Sequence, residues 1–162
     1  MAKKELTLEK LSVAEEILSV FQEQVAGDTH RQIRLEMAKH LPPVWADRML
    51  FRQVLRNVLS NAVKFTAKRE HAMIEVWAEM TKTHYTLTIR DNGAGFDMSH
   101  AEKLFEVLQR MHTREEFEGT GIGLATVKKI MQKHGGDVSM EGEVDGGAAV
   151  HLRFPRKENG QI

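Results

Sequence analysis

Apolar residues recur at three- and four-residue intervals in three stretches of the chain and at alternate positions in five others. Leu8, Leu11, Ile17, Leu18, Phe21 and Val25 predict an amphipathic helix over 7–26, ended by Gly27-Asp28. Leu50, Phe51, Val54, Leu55, Val58, Leu59 and Ala62 predict a second, from an N-cap at Asp47 to about Phe65. A third starts near Ile122 and stops at His134-Gly135-Gly136. Alternation marks strands at Ile33, Leu35 and Met37, at Ile74, Val76, Ala78 and Met80, and at Tyr85, Leu87 and Ile89. Two closing strands follow, one with Val138 and Met140, the other with Ala148, Val150, Leu152 and Phe154. Thr81-Lys82-Thr83-His84 and Asp145-Gly146-Gly147 read as hairpin turns, and Pro42-Pro43 forces an extended one.

Between the third strand and the third helix the pattern lapses. The stretch is long and polar, with one short helix predicted where Ser99 and Glu102 have capping-box spacing ahead of Leu104 and Phe105. A connection of this length inside a compact domain usually carries function, so 97–120 reads as a lid. The element order predicts an α+β fold: a two-layer sandwich, with a mixed, mostly antiparallel sheet of about five strands and about three helices on one face. The division expected is an N-terminal helix over 1–27, a domain over 28–156 and a frayed tail over 157–162.

Composition narrows the chemistry. The 162 residues suit one domain, and 41% hydrophobic with 28% charged residues is an ordinary globular balance. There is no cysteine, which excludes disulfides, a thiolate nucleophile and a zinc finger. Lys+Arg and Asp+Glu number 23 each, a balance that argues against a nucleic-acid partner. No apolar run approaches a membrane span and no secretory signal opens the chain, so no membrane contact and a cytoplasmic location are expected.

Three groups of residues could do chemistry. Asn57, Asn61 and Lys64 fall within about 60° of arc on the second helix. Carboxamides and an ammonium in line suit a hard cation with its anionic ligand, though the same spacing also fits solvated positions at a helix margin. Asp91-Asn92-Gly93-Ala94-Gly95-Phe96 leaves a strand, and its glycines allow close approach to a flat ligand whose exocyclic amine the aspartate could accept; alone it also reads as an ordinary turn. Gly119-Thr120-Gly121-Ile122-Gly123-Leu124 opens the third helix, where free N–H groups and the helix dipole favour phosphate. It is neither a P-loop nor a dinucleotide fingerprint.

Order and spacing together carry more than any one group. The chain resembles, over about 28–155, the catalytic and ATP-binding domain of sensor histidine kinases, in the superfamily shared with gyrase, the ninety-kilodalton heat-shock chaperone and mismatch-repair ATPases. Asn57-Val-Leu-Ser-Asn61-Ala-Val-Lys64-Phe65 is similar to the N box, and Asp91-Asn92-Gly93-Ala94-Gly95 to the first glycine box. Leu104-Phe105-Glu106-Val107-Leu108-Gln109-Arg110 is similar to the F box and Gly119-Thr120-Gly121-Ile122-Gly123-Leu124 to the second glycine box. The sequence around the F box is most similar to phytochrome-like and PAS-linked kinases. Leu108 stands where that box usually has a second aromatic.

The resemblance implies a Bergerat-type fold with ATP and Mg²⁺ as cofactors. It implies that Asp91 binds the adenine amine, that Phe65, Gly93 and Gly95 shape the pocket, and that Asn61 holds Mg²⁺ with Asn57 beside it. Lys64 then touches a phosphate, the 119–124 run with Phe105 encloses the nucleotide, and Arg110 reaches the γ-phosphate. Gyrase-like ATPases have a glutamate where Asn57 stands, and a carboxamide cannot act as a general base near neutral pH. That favours phosphoryl transfer, with Asn57, Lys64 and Arg110 as its catalytic residues. None of the eight histidines heads a phosphoacceptor box. The acceptor implied is a histidine on a separate dimerisation domain, with a response regulator receiving the phosphate later and the isolated chain a monomer. The alternatives are a nucleotide-binding regulatory module without phosphotransfer and an anti-sigma-type serine kinase.

Overall fold

The computed structural model describes residues 5–26, 32–96 and 120–156. All of the predicted lid over 97–120 but Thr120, including Phe105, Leu108, Arg110 and Gly119, and the tail over 157–162 lie outside the described residues. So does the predicted helix stop at Gly27-Asp28.

A five-stranded sheet runs in the order β2 (Ile33–Met37), β4 (Ala72–Met80), β5 (His84–Asp91), β7 (Gly147–Pro155), β6 (Asp137–Glu143). β2 pairs parallel with β4, and the other three pairings are antiparallel. The sheet expected from alternation is therefore present, with Ile74, Val76, Tyr85, Leu87, Ile89, Val150, Leu152 and Phe154 all turned into one core. Three helices supply the second layer: α1 (Val13–Val25), α2 (Arg48–Phe65) and α3 (Thr120–Lys133). α2 lies between the other two and buries Phe51, Val54, Leu55, Val58 and Leu59. Phe51 meets Phe154 of the sheet in an edge-to-face contact, their ring centroids 5.9 Å apart.

Helix ends follow local chemistry. Asp47 caps α2 through a hydrogen bond from the Leu50 N–H at 3.2 Å, as its sequence position predicts. α3 ends where predicted: Gly135 takes φ +78° and the Gly136 N–H returns to the Met131 carbonyl at 2.9 Å. Its start differs. The helix opens at Thr120 rather than near Ile122, so Gly121 and Gly123 lie inside its first turn.

The N-terminal segment corrects a second expectation. Residues over 7–11 do not continue the first helix. Leu8–Leu11 forms β1, paired antiparallel with β3 (Val44–Asp47) in a small second sheet. Ser12 then caps α1, accepting from the Glu15 N–H at 3.4 Å. Val13, Ile17, Val20 and Phe21 of α1 join the same core as the five-stranded sheet.

Candidate active site

Strand β5 ends on Asp91, and the chain after it folds back against the last turn of α2. The Gly93 N–H donates to Asp91 Oδ1 at 2.8 Å, and the Ala94 N–H to the Phe65 carbonyl at 3.0 Å. No side chain fits at 93, where a Cβ would stand 2.4 Å from that carbonyl oxygen. Gly95 adopts φ +66°, a left-handed conformation open to glycine, and lies against the Glu143 carbonyl at the β6–β7 hairpin. Gly147, at φ +87°, lies against the Asp91 carbonyl, where a Cβ would stand 2.3 Å from its oxygen. Three elements can therefore close around one carboxylate because three positions carry no side chain.

Asp91 is only 7% exposed. Burial pushes its carboxyl up to about 6, against the lowering pull of hydrogen bonds from Gly93 and Ala148 and of the Arg90 charge. A carboxylate raised by burial and held by backbone donors at a strand end is a functional-site candidate on physical grounds alone.

The second helix brings its polar row to the same region. Asn61 is buried, and its Nδ2 has no hydrogen-bond partner among the described residues. One turn earlier Asn57 donates from Nδ2 to the Gly123 carbonyl at 3.1 Å, which ties α2 to the first turn of α3. Lys64 is exposed and Phe65 half-buried at the helix end. Thr120, Gly121, Ile122, Gly123 and Leu124 occupy the opening of α3, with the Leu124 side chain buried in the core. The predicted residues Asn57 and Gly123 thus touch, as do Phe65, Gly93 and Asp91.

Two residues outside the predicted set hold this arrangement. Asn92 accepts from the Met73 N–H at 2.9 Å and donates to the His71 carbonyl at 2.9 Å, pinning the β5 exit to β4. Arg69, in the turn after α2, donates to the carbonyls of Asn92, Gly93 and Asp145. A cation in a polar turn, next to Lys68 and Glu70, follows no period, so spacing could not single it out.

Comparison with known proteins places these features in a family. Residues 46–158 match the model described as histidine kinase-, DNA gyrase B-, and HSP90-like ATPase. The chain belongs to this ATPase family. Its relatives include the phytochrome-like protein Cph1 of a Synechocystis species, 34% identical over 71% of this chain and 15% of that protein. The adaptive-response sensory kinase SasA of the same source is 33% identical over 88% of this chain and 37% of its own length. The chain thus spans well under half of the curated relatives it matches. Among solved structures, full-length ShkA in complex with AMPPNP superposes with a TM-score of 0.76 at 26% identity, over 95% of this chain and 32% of that one. The nucleotide-free catalytic domain of histidine kinase ThkA gives 0.70 at 25% identity, over 93% of this chain and 96% of that domain. Motifs, fold and relatives agree on the ATP-binding catalytic domain of sensor histidine kinases. Among the described residues no helix is long and apolar enough to cross a membrane.

Proposed function

We propose that the chain binds Mg-ATP between α2, the Asp91 loop and the start of α3, and transfers its γ-phosphate to a histidine on a separate dimerisation domain. The observation that carries this reading is the buried Asp91 carboxylate, held by the Gly93 N–H beside a loop whose glycines admit no side chain. A flat base carrying an exocyclic amine satisfies that carboxylate, with Gly93, Gly95 and Phe65 as its surroundings. The buried Asn61 amide, short of a partner at Nδ2, suits the polar, charged end of such a ligand. Its carboxamide oxygen, with Asn57 beside it, is the hard donor a magnesium ion takes; the ion, when bound, neutralises phosphate charge.

Lys64 is exposed near the end of α2 and free to reach a phosphate oxygen, and the N–H groups opening α3 face the same anion. Arg110 and Phe105 complete the enclosure in this reading, with 97–120 as the lid. Asn57 favours transfer over hydrolysis in this reading. A carboxamide there is a poor general base for water, and its amide is engaged with the Gly123 carbonyl. The partners proposed are a histidine-bearing helical hairpin and, through it, a response regulator, in the cytoplasm. The join to that hairpin would precede β1, since β1 and α1 themselves belong to the catalytic core, and the isolated catalytic chain would be monomeric.

Incubation with labelled ATP, Mg²⁺ and a supplied histidine-bearing hairpin domain tests the reading. Acid-labile label should appear on the supplied domain and vanish with chelator. A Mg²⁺-dependent release of inorganic phosphate with no label on any histidine-bearing hairpin offered would favour a hydrolase and overturn it.

A further inference from the structure

Arg69 connects three pieces of backbone that no other side chain bridges among the described residues. Its Nε donates to the Asn92 carbonyl at 2.9 Å, and its Nη2 to the carbonyls of Gly93 at 3.0 Å and Asp145 at 2.9 Å. Its own N–H returns to the Thr66 carbonyl at 2.9 Å, and the Thr66 hydroxyl donates to the Ala62 carbonyl at 2.8 Å. The guanidinium is therefore anchored to the end of α2 and grips two loops at once. One loop carries Asp91 and Gly93. The other is the β6–β7 hairpin, whose Asp145 takes a left-handed φ of 62° uncommon for a residue with a side chain. Asp145 is held from both sides, its N–H by the Ala94 carbonyl at 2.6 Å and its carbonyl by Arg69.

We infer that Arg69 is a positioning residue that sets the adenine preference of the nucleotide site, by fixing the Asp91–Gly93 turn against α2 and the β6–β7 hairpin. The inference rests on the proposed adenine site. Asp91 recognises an amine only if its free oxygen points into the pocket, and its orientation is set by the Gly93 N–H at 2.8 Å. The Gly93 peptide in turn has little to hold it besides its neighbours. Its carbonyl bonds to Arg69, and the following Ala94 N–H to Phe65. Remove the guanidinium and three carbonyls must find other donors, while the turn regains freedom that adenine binding must then take away. A lysine cannot replace it. One ammonium on a flexible stem lacks the planar fork that reaches carbonyls on two loops together.

The test compares ADP with inosine diphosphate, which carries a carbonyl oxygen in place of the adenine amine. Calorimetry with Mg²⁺ is run on wild type, Arg69→Ala, Arg69→Lys and Asp91→Asn, each checked for folding by thermal melting. Both Arg69 variants should lose about tenfold in ADP affinity with inosine diphosphate changed less than twofold, so that base preference falls. Guanidinium ion at tens of millimolar should restore part of the ADP affinity of Arg69→Ala and do nothing for Arg69→Lys, whose side chain fills the space. Equal losses for both nucleotides, tracking a lower melting temperature, would make Arg69 merely structural and overturn the inference. Unchanged ADP affinity in the Arg69 variants with a large loss in Asp91→Asn would overturn it alone. Unchanged affinity in Asp91→Asn as well would overturn the adenine site beneath it. Should Arg69→Ala fail to fold, Arg69→Lys and its nucleotide ratio carry the test.

Discussion

Asp91 sets its own stability cost. The unfolded chain releases this proton near 3.8 and the native chain near 6, so between those values the native state binds more protons and its stability falls as pH rises. In order of magnitude the loss across that window is about 3 kcal/mol. Asp91→Asn removes the titration. In the absence of nucleotide, the variant should melt at or above the wild-type temperature at pH 7 and lack the wild type's decline between pH 4 and 6. Its nucleotide affinity should nonetheless drop by about 10- to 150-fold, the worth of a charged hydrogen bond of about 1.5–3 kcal/mol. A variant less stable at pH 7 than at pH 4, relative to wild type, would mean that the backbone donors rather than burial govern this carboxyl. At this scale the sequence was a good guide to which residues the fold brings together. Gly93 donates to Asp91, Asn57 reaches Gly123, and Asn61 is buried one turn further along the same helix, as their offsets from the strand and helix ends allow. Arg69 could not be picked out, because its role depends on where two distant loops come to rest.

Helices and strands were legible to the extent that their periods were clean. The five strands of the main sheet alternate, and all five were expected. β1 was absorbed into the helix after it because Leu8 and Leu11, three apart, keep helical spacing while falling on opposite faces of a strand. Ser12 and Glu15 carry a capping-box signal that would have marked the boundary. β3 is four residues wedged between Pro43 and the Asp47 cap, too short for a pattern. Once α1 is correctly bounded, an ion-pair ladder between α1 and α2 comes into view. Glu16, buried in α1, accepts from Arg52 at 2.6 Å and Arg48 at 3.2 Å, whereas Glu23 and Arg56 form an exposed pair at 3.1 Å. Glu16→Ala should destabilise by about 1–2 kcal/mol in urea unfolding, less than a sealed pair because both arginines reach water once released. Glu23→Ala should cost under about 0.5 kcal/mol. Equal costs at the two positions would show that burial adds nothing to the ladder. The glycines of the site divide in the same way. Gly93→Ala must push backbone aside and should lower the melting temperature sharply. Gly123→Ala, whose Cβ would lie 3.7 Å from Asn57 in ordinary contact, should be neutral or gain up to about 1 kcal/mol from helix propensity.

At the scale of the whole molecule, the proposed transfer needs an acceptor that the described fold does not offer from within. His151 stands on the sheet face turned away from the helices, its Nδ1 2.8 Å from the Thr88 hydroxyl, so the sheet lies between it and Asn61. His84 begins the strand that Asp91 ends, about 23 Å away along an extended chain, and His40 lies towards that same far end, two residues before Pro42, whose carbonyl takes the Tyr85 hydroxyl. His134 has both ring nitrogens engaged, Nδ1 at 2.9 Å from the Ile130 carbonyl and Nε2 accepting the Asp47 N–H at 3.1 Å. His71 borders the Asp91 end, where the proposed site takes the base and not the phosphates. Each of these is held away from where a γ-phosphate would sit beside Asn61 and the opening of α3. For His84 and His151 a move there would have to break the sheet, and for His134 the α3 C-cap. None of the eight histidines heads a phosphoacceptor box, so the isolated chain incubated with labelled Mg-ATP should gain almost no acid-labile phosphate, while adding a histidine-bearing hairpin domain should place label on that domain alone. Stoichiometric acid-labile label on the isolated chain, mapped by peptide digestion to one of its own histidines, would show that transfer does not need a second domain.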